Sequence, residues 1–194
     1  MAKRFYELTV AGCTRTLSIL NLNEHLAIAG FVMLGDVELC TNCARALAKK
    51  IPTDTEIIMT AETKGIPLAA ELARQLDMPY YVTARKSVKA YMEDPIWVED
   101  ESITTMGKQK LYLMNTDIAR IAERKVLLLD DVISTGGSMT ALSALAAKAG
   151  ARRGRCCQTD RHHLSRIPSA LCSGVKKMLI HSAMPSWHTF SARI

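Results

Sequence analysis

The sequence has no long hydrophobic run. No stretch of its 194 residues approaches the roughly 18 to 20 consecutive apolar residues that a membrane-spanning helix needs. The first residues, Met1 to Glu7, also lack the apolar segment of a secretory signal peptide. We therefore expect a soluble, cytoplasmic protein with no membrane partner.

Cysteine is sparse, since six residues in a chain of this length do not form a disulfide scaffold. Reduced thiols are therefore expected. Cys40 and Cys43 have the spacing of a redox or metal-binding pair, but no matching second pair follows and the segment continues as a helix. We interpret both as ordinary helix residues.

Positive charge is not in excess over most of the chain, although the formal net charge is +6. Residues 1–150 hold 17 Lys and Arg against 18 Asp and Glu, which is −1, whereas residues 151–194 hold 8 against 1, which is +7. A nucleic-acid footprint should be a basic face on the folded body. We therefore expect no nucleic-acid partner, and we divide the chain into one domain over 1–150 and an atypical basic tail over 151–194.

Apolar segments and polar loops alternate along the first 150 residues. The pattern predicts an initial hairpin with strands over 5–10 and 14–20, and a segment of irregular, charged character over 85–107. It further predicts strands over 56–60, 80–83, 110–113 and 125–129, and helices over 37–50, 66–76 and 138–149. This order indicates an α/β fold with a mainly parallel central sheet flanked by helices, which binds ligands at the carboxyl ends of its strands.

One stretch, VLLLDDVISTGGSMT at 126–140, places two carboxylates between a buried strand and a glycine-containing turn. Ser134 to Ser138 open a predicted helix, where free N–H groups and the helix dipole favour a phosphate. Asp130 and Asp131 could accept hydrogen bonds from sugar hydroxyls or approach a divalent cation. The combined ligand is a ribose phosphate, and the alternative is a capped turn without a ligand.

The same stretch resembles the phosphoribosyl-pyrophosphate (PRPP) signature of type I phosphoribosyltransferases, and no Gly-Lys-Ser/Thr of a Walker-type loop follows it. TAETKGIPLAAELA looks like the pyrophosphate loop of that family and its following helix. YYVTARKSVKAYM is similar to the segment that supplies basic residues, and IWVEDESITT to the flexible loop that closes over the active site. Among members of the family, ELTVAGCTRTLSIL and GIPLAAELARQL most resemble the adenine phosphoribosyltransferases.

The resemblance implies purine salvage: adenine and PRPP give AMP and diphosphate, with Mg²⁺ held mainly by PRPP, in a homodimer. It implies that Asp130 and Asp131 hold the ribose hydroxyls and contact Mg²⁺ through water, and that Glu99 faces the purine, unless Glu99 is merely a solvated acid. The other implied groups are Ser134, Thr135, Gly136, Gly137 and Ser138 for the 5′-phosphate, Thr63, Lys64, Gly65, Arg85, Lys86 and Lys89 for pyrophosphate, and Arg15 and Phe31 for the base beneath an N-terminal hood of about residues 1–35.

Two other functions fit the same motif. One is a xanthine or guanine phosphoribosyltransferase, and the other is a purine-responsive regulator that binds PRPP without catalysis and contacts DNA. Such regulators generally carry an additional DNA-binding module. Because the domain begins within about ten residues of Met1 and residues 1–150 are close to neutral, we favour the enzyme.

The tail departs from the family pattern, which calls for another buried strand where residues 151–163 read ARRGRCCQTDRHH. A zinc site from Cys156, Cys157, His162 and His163 has poor ligand spacing, and an RNA-binding arm is a further alternative. Our preferred hypothesis is translation out of frame. Shifting the possible codons for Arg155–Asp160 back by one base permits a Leu/Val-Leu-Ser/Pro-Asp/Asn-Gly segment, which resembles the missing strand and its acidic turn.

Overall fold

The computed structural model describes residues 4–21, 27–100, 109–132 and 136–152. Within these ranges no helix is both long and apolar enough to cross a bilayer. The strands are β1 Phe5–Val10, β2 Cys13–Asn21, β3 Ala27–Ala29, β4 Ile57–Ala61, β5 Tyr81–Ala84, β6 Ile96–Asp100, β7 Gln109–Leu113 and β8 Val126–Leu129. The helices are α1 Val37–Ala48, α2 Ile66–Gln75, α3 Asn115–Ile121 and α4 Gly137–Lys148.

A parallel sheet with strand order β5-β4-β8 lies at the centre of the fold. Its register pairs Thr60 of β4 with Thr83 on one side and with Leu129 on the other. Every residue of β4 and of β8 is buried, because other elements of the fold cover both faces of the parallel sheet. The predicted α/β class with a parallel sheet flanked by helices is confirmed.

Successive residues of the central strands point to opposite faces, and each face has its own core. Ile58 and Leu127 pack with Leu39 of α1 and Leu72 of α2 on one face. The other core contains alternate residues of the same strands, with residues of α4 and of the β6–β7 hairpin: Ile57, Met59, Leu128, Leu142, Leu145, Leu111 and Leu113. Since burying one such side chain contributes about 1.5 to 3 kcal/mol, both faces are needed to stabilise the sheet.

Helix boundaries follow from local chemistry. Asp36 caps α1 by accepting a hydrogen bond from the Leu39 N–H at 3.0 Å, and Pro52 lies just beyond the helix end. Pro67 is in the first turn of α2, where its missing N–H costs nothing. Gly136 precedes α4 with φ of +91°, a conformation that is readily accessible only to glycine.

The N-terminal residues form an antiparallel sheet of order β1-β2-β3, which confirms the predicted hairpin. Gly12 at its turn has φ of +79°. One side of the sheet buries Leu8, Val10 and Leu17 against the core that contains α1 and α2. The N-terminal sheet therefore packs on the same face of the central sheet as those two helices.

Three elements were not predicted from the sequence. The segment interpreted as irregular contains β6, which pairs antiparallel with β7 from Ile96↔Leu113 to Asp100↔Gln109, so that interpretation was wrong for residues 96–100. Its alternate residues Ile96 and Val98 pack on the second core, which stabilises the hairpin. The short elements β3 and α3 were also missed, since three and seven residues carry little periodic signal.

The chain returns to the sheet after α4. Arg152 forms an isolated parallel bridge with Lys125, and its N–H donates to the Arg124 carbonyl at 2.9 Å. The chain is thus brought beside the start of β8, on the side away from β4. Residues 153–194, which carry the hypothesis of out-of-frame translation and its zinc and RNA-binding alternatives, lie outside the described residues.

Candidate active site

The candidate site lies at the ends of two neighbouring parallel strands, after which the chain continues to opposite faces of the sheet. β4 and β8 are adjacent, but the helix that follows β4 lies on the first core and the helix that follows β8 lies on the second. In such sheets the usual ligand position lies beyond the carboxyl ends of strands whose chains diverge in this way. The predicted ligand loop 61–65 and the described residues of the other, 130–132, follow the carboxyl ends of β4 and β8.

The acid pair directly follows β8. The Asp131 N–H donates to Oδ1 of Asp130 at 2.9 Å, and the Asp131 side chain is buried, with Oδ2 lacking a hydrogen-bond partner among the described residues. Burial, reinforced by the neighbouring Asp131 charge, raises the pKa of Asp130 to about 7. A buried carboxylate oxygen without a partner is costly, so the pair suits a ligand that brings hydroxyl donors or positive charge.

The loop after β4 approaches the same acids. Thr63 and Lys64 are exposed, whereas Gly65 is buried. A Cβ added to Gly65 would overlap the Thr60 hydroxyl and lie 3.5 Å from Oδ1 of Asp130. The predicted pyrophosphate residues and the acid pair are therefore neighbours, and glycine is required where they meet.

The predicted basic residues after β5 lie beside this loop. Arg85 Nη1 is 3.3 Å from Oε1 of Glu62, and the Lys86 N–H donates to Oε2 of the same carboxylate at 2.9 Å. The Lys86 charge also acts to lower the pKa of Asp130, against the larger effect of burial. Lys89 Nζ lies 2.7 Å from the Ser87 hydroxyl. Cations from one loop thus face acids from two others.

Glu62 is a site residue that the sequence reasoning missed. It directly precedes Thr63, and its side chain is 18% exposed. The pKa of Glu62 is lowered, chiefly by the hydrogen bond from the Lys86 N–H, with burial acting in the opposite direction. An acid in a predicted pyrophosphate loop carries no obvious signal, because only the fold shows that its partners are the cations after β5.

The predicted 5′-phosphate residues are partly described. Gly136 stands at the head of α4, where its carbonyl accepts the Thr140 N–H at 2.9 Å, and Gly137 and Ser138 form the first turn. The first turn of a helix presents unpaired N–H groups that suit an anion. Ser134 and Thr135 lie outside the described residues.

The base-binding and flexible-loop predictions find less support in the geometry. Arg15 is held by Asp36, with Nε to Oδ2 at 2.6 Å, and by Glu38 at 2.8 Å. Phe31 is half-buried against the first core. Glu99 is exposed on β6 opposite Lys110. The contacts of Arg15 and Phe31 are structural ones, and their predicted roles, like that of Glu99, rest on the resemblance.

The acid pair Asp130 and Asp131 is also the candidate site for a metal ion. The described residues contain no group of three or more His, Cys, Asp or Glu that could hold a metal ion. Two carboxylates with an unpaired buried oxygen instead suit a divalent cation that arrives with most of its ligands already supplied by a diphosphate. The residues present therefore fit a divalent cation such as Mg²⁺ that is carried by its ligand, and Asp130 and Asp131 are the residues that would contact it.

Comparison by sequence identifies curated relatives named as hypoxanthine/guanine phosphoribosyltransferases. The chain is 34% identical over 124 residues to a hypoxanthine/guanine phosphoribosyltransferase of Methanococcus maripaludis, covering 64% of this chain and 63% of that protein. It is 37% identical over 120 residues to the corresponding protein of Methanothermococcus okinawensis, covering 62% of this chain and 61% of that protein. The matched region is thus less than two thirds of the length of these relatives.

Comparison by structure identifies adenine phosphoribosyltransferases. That of Thermoanaerobacter pseudethanolicus has a TM-score of 0.56 at 21% identity, covering 70% of this chain and 77% of the other. That of Rhodothermus marinus has a TM-score of 0.53 at 23% identity, covering 69% and 76%. These similarities support the fold. Because the family model of the phosphoribosyl transferase domain also matches residues 37–186, which include both ligand loops, the chain belongs to the phosphoribosyl transferase domain family.

Proposed function

We propose that this chain is a purine phosphoribosyltransferase, which transfers the 5-phosphoribosyl group from PRPP to a ring nitrogen of a purine and releases diphosphate. The observation that carries the proposal is the approach of Gly65, in the loop after β4, to the acid pair Asp130 and Asp131 that follows β8 and precedes the glycine-led start of α4. Each group suits a different part of PRPP. Membership of the family supports the same reaction.

The division of labour follows from charge. Asp130 and Asp131 accept hydrogen bonds from the two ribose hydroxyls, which satisfy the unpaired carboxylate oxygen. The N–H groups at the head of α4, from Gly136 onward, bind the 5′-phosphate a short distance away. Acid and phosphate sites are therefore adjacent without conflict, because the sugar lies between them.

The leaving group is bound on the opposite side of the sugar. The Thr63–Gly65 backbone receives the diphosphate, and Lys64, Arg85, Lys86 and Lys89 supply positive charge as the bond from the anomeric carbon to the diphosphate oxygen lengthens. Mg²⁺, when bound with the diphosphate, supplies further neutralisation of that charge. The anomeric carbon gains positive character, and the base nitrogen must be held in line behind it to form the new bond. Glu99 is proposed to face the purine at that stage.

The identity of the base is a finer question. The relatives at 34% and 37% identity are named as hypoxanthine/guanine enzymes, whereas the adenine enzymes match at 21% and 23% identity and support the fold alone. We therefore propose a 6-oxopurine, hypoxanthine or guanine, as the preferred base. Adenine, expected from the resemblance of the hood and helix segments, stays the alternative prediction.

A base panel tests both levels of the proposal. The purified chain is incubated with PRPP, MgCl₂ and, separately, hypoxanthine, guanine, xanthine and adenine, and nucleotide and diphosphate are quantified by chromatography. We expect IMP or GMP at a higher kcat/KM than AMP. If AMP is the main product, adenine and not a 6-oxopurine is the preferred base. Saturable PRPP binding with no nucleotide from any base would instead favour the regulator.

A further inference from the structure

Glu62 lies where the loops after β4 and β5 meet. Its N–H donates to the carbonyl of Ala84, the last residue of β5, at 2.9 Å, which extends the pairing of the two strands one residue beyond the end of β4. This bond fixes the backbone from which the side chain projects. The Glu62 carboxylate is therefore carried by the rigid end of the sheet, although the loops on either side of it are exposed.

The two carboxylate oxygens of Glu62 have different partners. Oε1 lies 3.3 Å from Nη1 of Arg85, and Oε2 accepts the Lys86 N–H at 2.9 Å. Both partners belong to the group that the proposed function assigns to the diphosphate. One side chain thus holds a guanidinium and a backbone amide of the neighbouring loop in a fixed relation to Thr63, the next residue along the chain.

The contact between Glu62 and the loop after β5 is also electrostatic. Arg85, Lys86 and Lys89 bring three positive charges close to one another, which would repel and spread apart in the ligand-free chain. The Arg85 and Lys89 charges both act to lower the pKa of Glu62, so two of the three cations act on one negative charge. Holding cations in place before the ligand arrives reduces the cost of ordering them on binding.

We propose that Glu62 is a positioning residue for the diphosphate site, holding Arg85 and the Lys86 backbone where the diphosphate of PRPP is received. The inference rests on the proposed function and adds to it a residue that touches neither the sugar nor the base. When the ligand is bound, Arg85 keeps one N–H on Glu62 and directs its remaining N–H groups to the diphosphate, since a guanidinium has five such donors.

The test compares Glu62→Gln, Glu62→Ala and the control Glu71→Gln. Gln keeps an acceptor for the Lys86 N–H but loses the charge facing Arg85, and Ala loses both contacts. Glu71 is a matched control because it is 17% exposed and pairs with Arg74 at 2.6 Å on α2, outside the site. For each variant, kcat and KM for PRPP and for the base are measured, together with calorimetric binding of inorganic pyrophosphate and of PRPP.

We expect Glu62→Gln to raise the KM for PRPP and the Kd of pyrophosphate roughly tenfold, as for loss of one charge-assisted hydrogen bond. The KM for the base should stay within about twofold, because sites away from shared contacts are energetically independent. Glu62→Ala should weaken diphosphate binding more than Glu62→Gln does, and Glu71→Gln should match the unmodified chain. This split between the two substrates separates positioning from a general loss of structure.

Equal diphosphate affinity in Glu62→Gln and Glu71→Gln would overturn the inference, as would equal increases in KM for both substrates. If Glu62→Ala does not fold, as judged by denaturant unfolding, Glu62→Gln decides the matter. If the unmodified chain binds PRPP without forming nucleotide, the proposed catalysis fails while calorimetry still tests Glu62. A chain that binds neither pyrophosphate nor PRPP would overturn both.

Discussion

Gly65 lies directly against the Thr60 hydroxyl, so close that a Cβ on residue 65 would overlap Oγ1 of Thr60. Thr60 is fully buried, and its hydroxyl has no hydrogen-bond partner among the described residues. The same hypothetical Cβ would be 3.5 Å from Oδ1 of Asp130. The loop after β4 thus reaches the acid pair only because residue 65 has no side chain.

Gly65→Ala should therefore displace the loop and lower kcat/KM for PRPP by roughly 10- to 100-fold, the scale expected when a binding group moves by about 1 Å. Removing the obstructing hydroxyl in the double variant Gly65→Ala/Thr60→Ala should restore part of the loss. Steady-state kinetics on the two single variants and the double variant form a double-mutant cycle. Equal impairment of Gly65→Ala and the double variant would show that the overlap is not the cause.

The raised pKa of Asp130 predicts an unusual pH dependence of stability. Burial raises this pKa from 3.8 to about 7, so ionising Asp130 costs native-state free energy that the unfolded chain does not bear. The penalty is absent below about pH 4, grows as the pH rises, and is complete above about pH 7. Asp130→Asn, which keeps an acceptor for the Asp131 N–H, should therefore stabilise the ligand-free chain at pH 8.

The expected gain in free energy of unfolding at pH 8 is at most about 4 kcal/mol, since one pKa unit corresponds to about 1.4 kcal/mol. The gain should disappear towards pH 4. Chemical denaturation of Asp130→Asn and of the unmodified chain at pH 4.5, 6 and 8, without ligands, measures it. A difference that does not vary with pH would contradict the assignment of the raised pKa to Asp130.

Asp131→Asn should impair turnover without unfolding the chain. The substitution removes the negative charge that is proposed to accept a ribose hydroxyl, and it is expected to lower kcat/KM for PRPP by roughly 10- to 100-fold, the range for a hydrogen bond to a charged group. Asp54→Asn is the control, because Asp54 pairs with Lys125, which precedes the first residue of β8, whereas Asp131 follows its last residue. Nucleotide formation by the two variants is compared, and similar losses would remove Asp131 from its proposed role.

Asp36 combines two structural duties, which two substitutions can separate. Asp36→Ala loses the cap of α1 and both hydrogen bonds from Arg15, and it should lower the free energy of unfolding by about 2 kcal/mol or more. Asp36→Asn keeps the cap and should cost less. Urea unfolding measures both variants. Identical costs would mean that the cap contributes nothing to stability, because both variants lose the charge facing Arg15 and only Asp36→Ala loses the cap.

Much of the site could be inferred from the chain alone. The candidate ligand loop can be predicted from one short stretch of sequence. The apolar run 126–129 predicts a buried strand, and Asp130, Asp131 and a glycine turn follow it in order. The same holds for the helix that begins after Asp36. Signals of this kind are contained within a dozen residues and need no knowledge of distant parts of the fold.

Other features depend on residues that are distant in sequence. Glu62 and Arg85 are 23 positions apart, and Arg15 and Asp36 are 21 positions apart, so neither pair has a spacing that predicts contact. Strand β6 was missed because it lies in a segment rich in charged residues, such as Glu99 on its exposed side. Only packing of Ile96 and Val98 on the second core reveals it.

The sequence by itself determined the order of the longer strands and helices other than β6, the acid pair at the end of β8, and the glycines at the two ligand loops, because these follow from local polarity and backbone freedom. Tertiary structure alone decided which loops face each other. In the folded chain Gly65 lies against Thr60 and Asp130. Arg85 pairs with Glu62, and Arg15 pairs with Asp36. The physical reason is that burial and pairing of charges are settled by the register of neighbouring strands, which no single segment encodes.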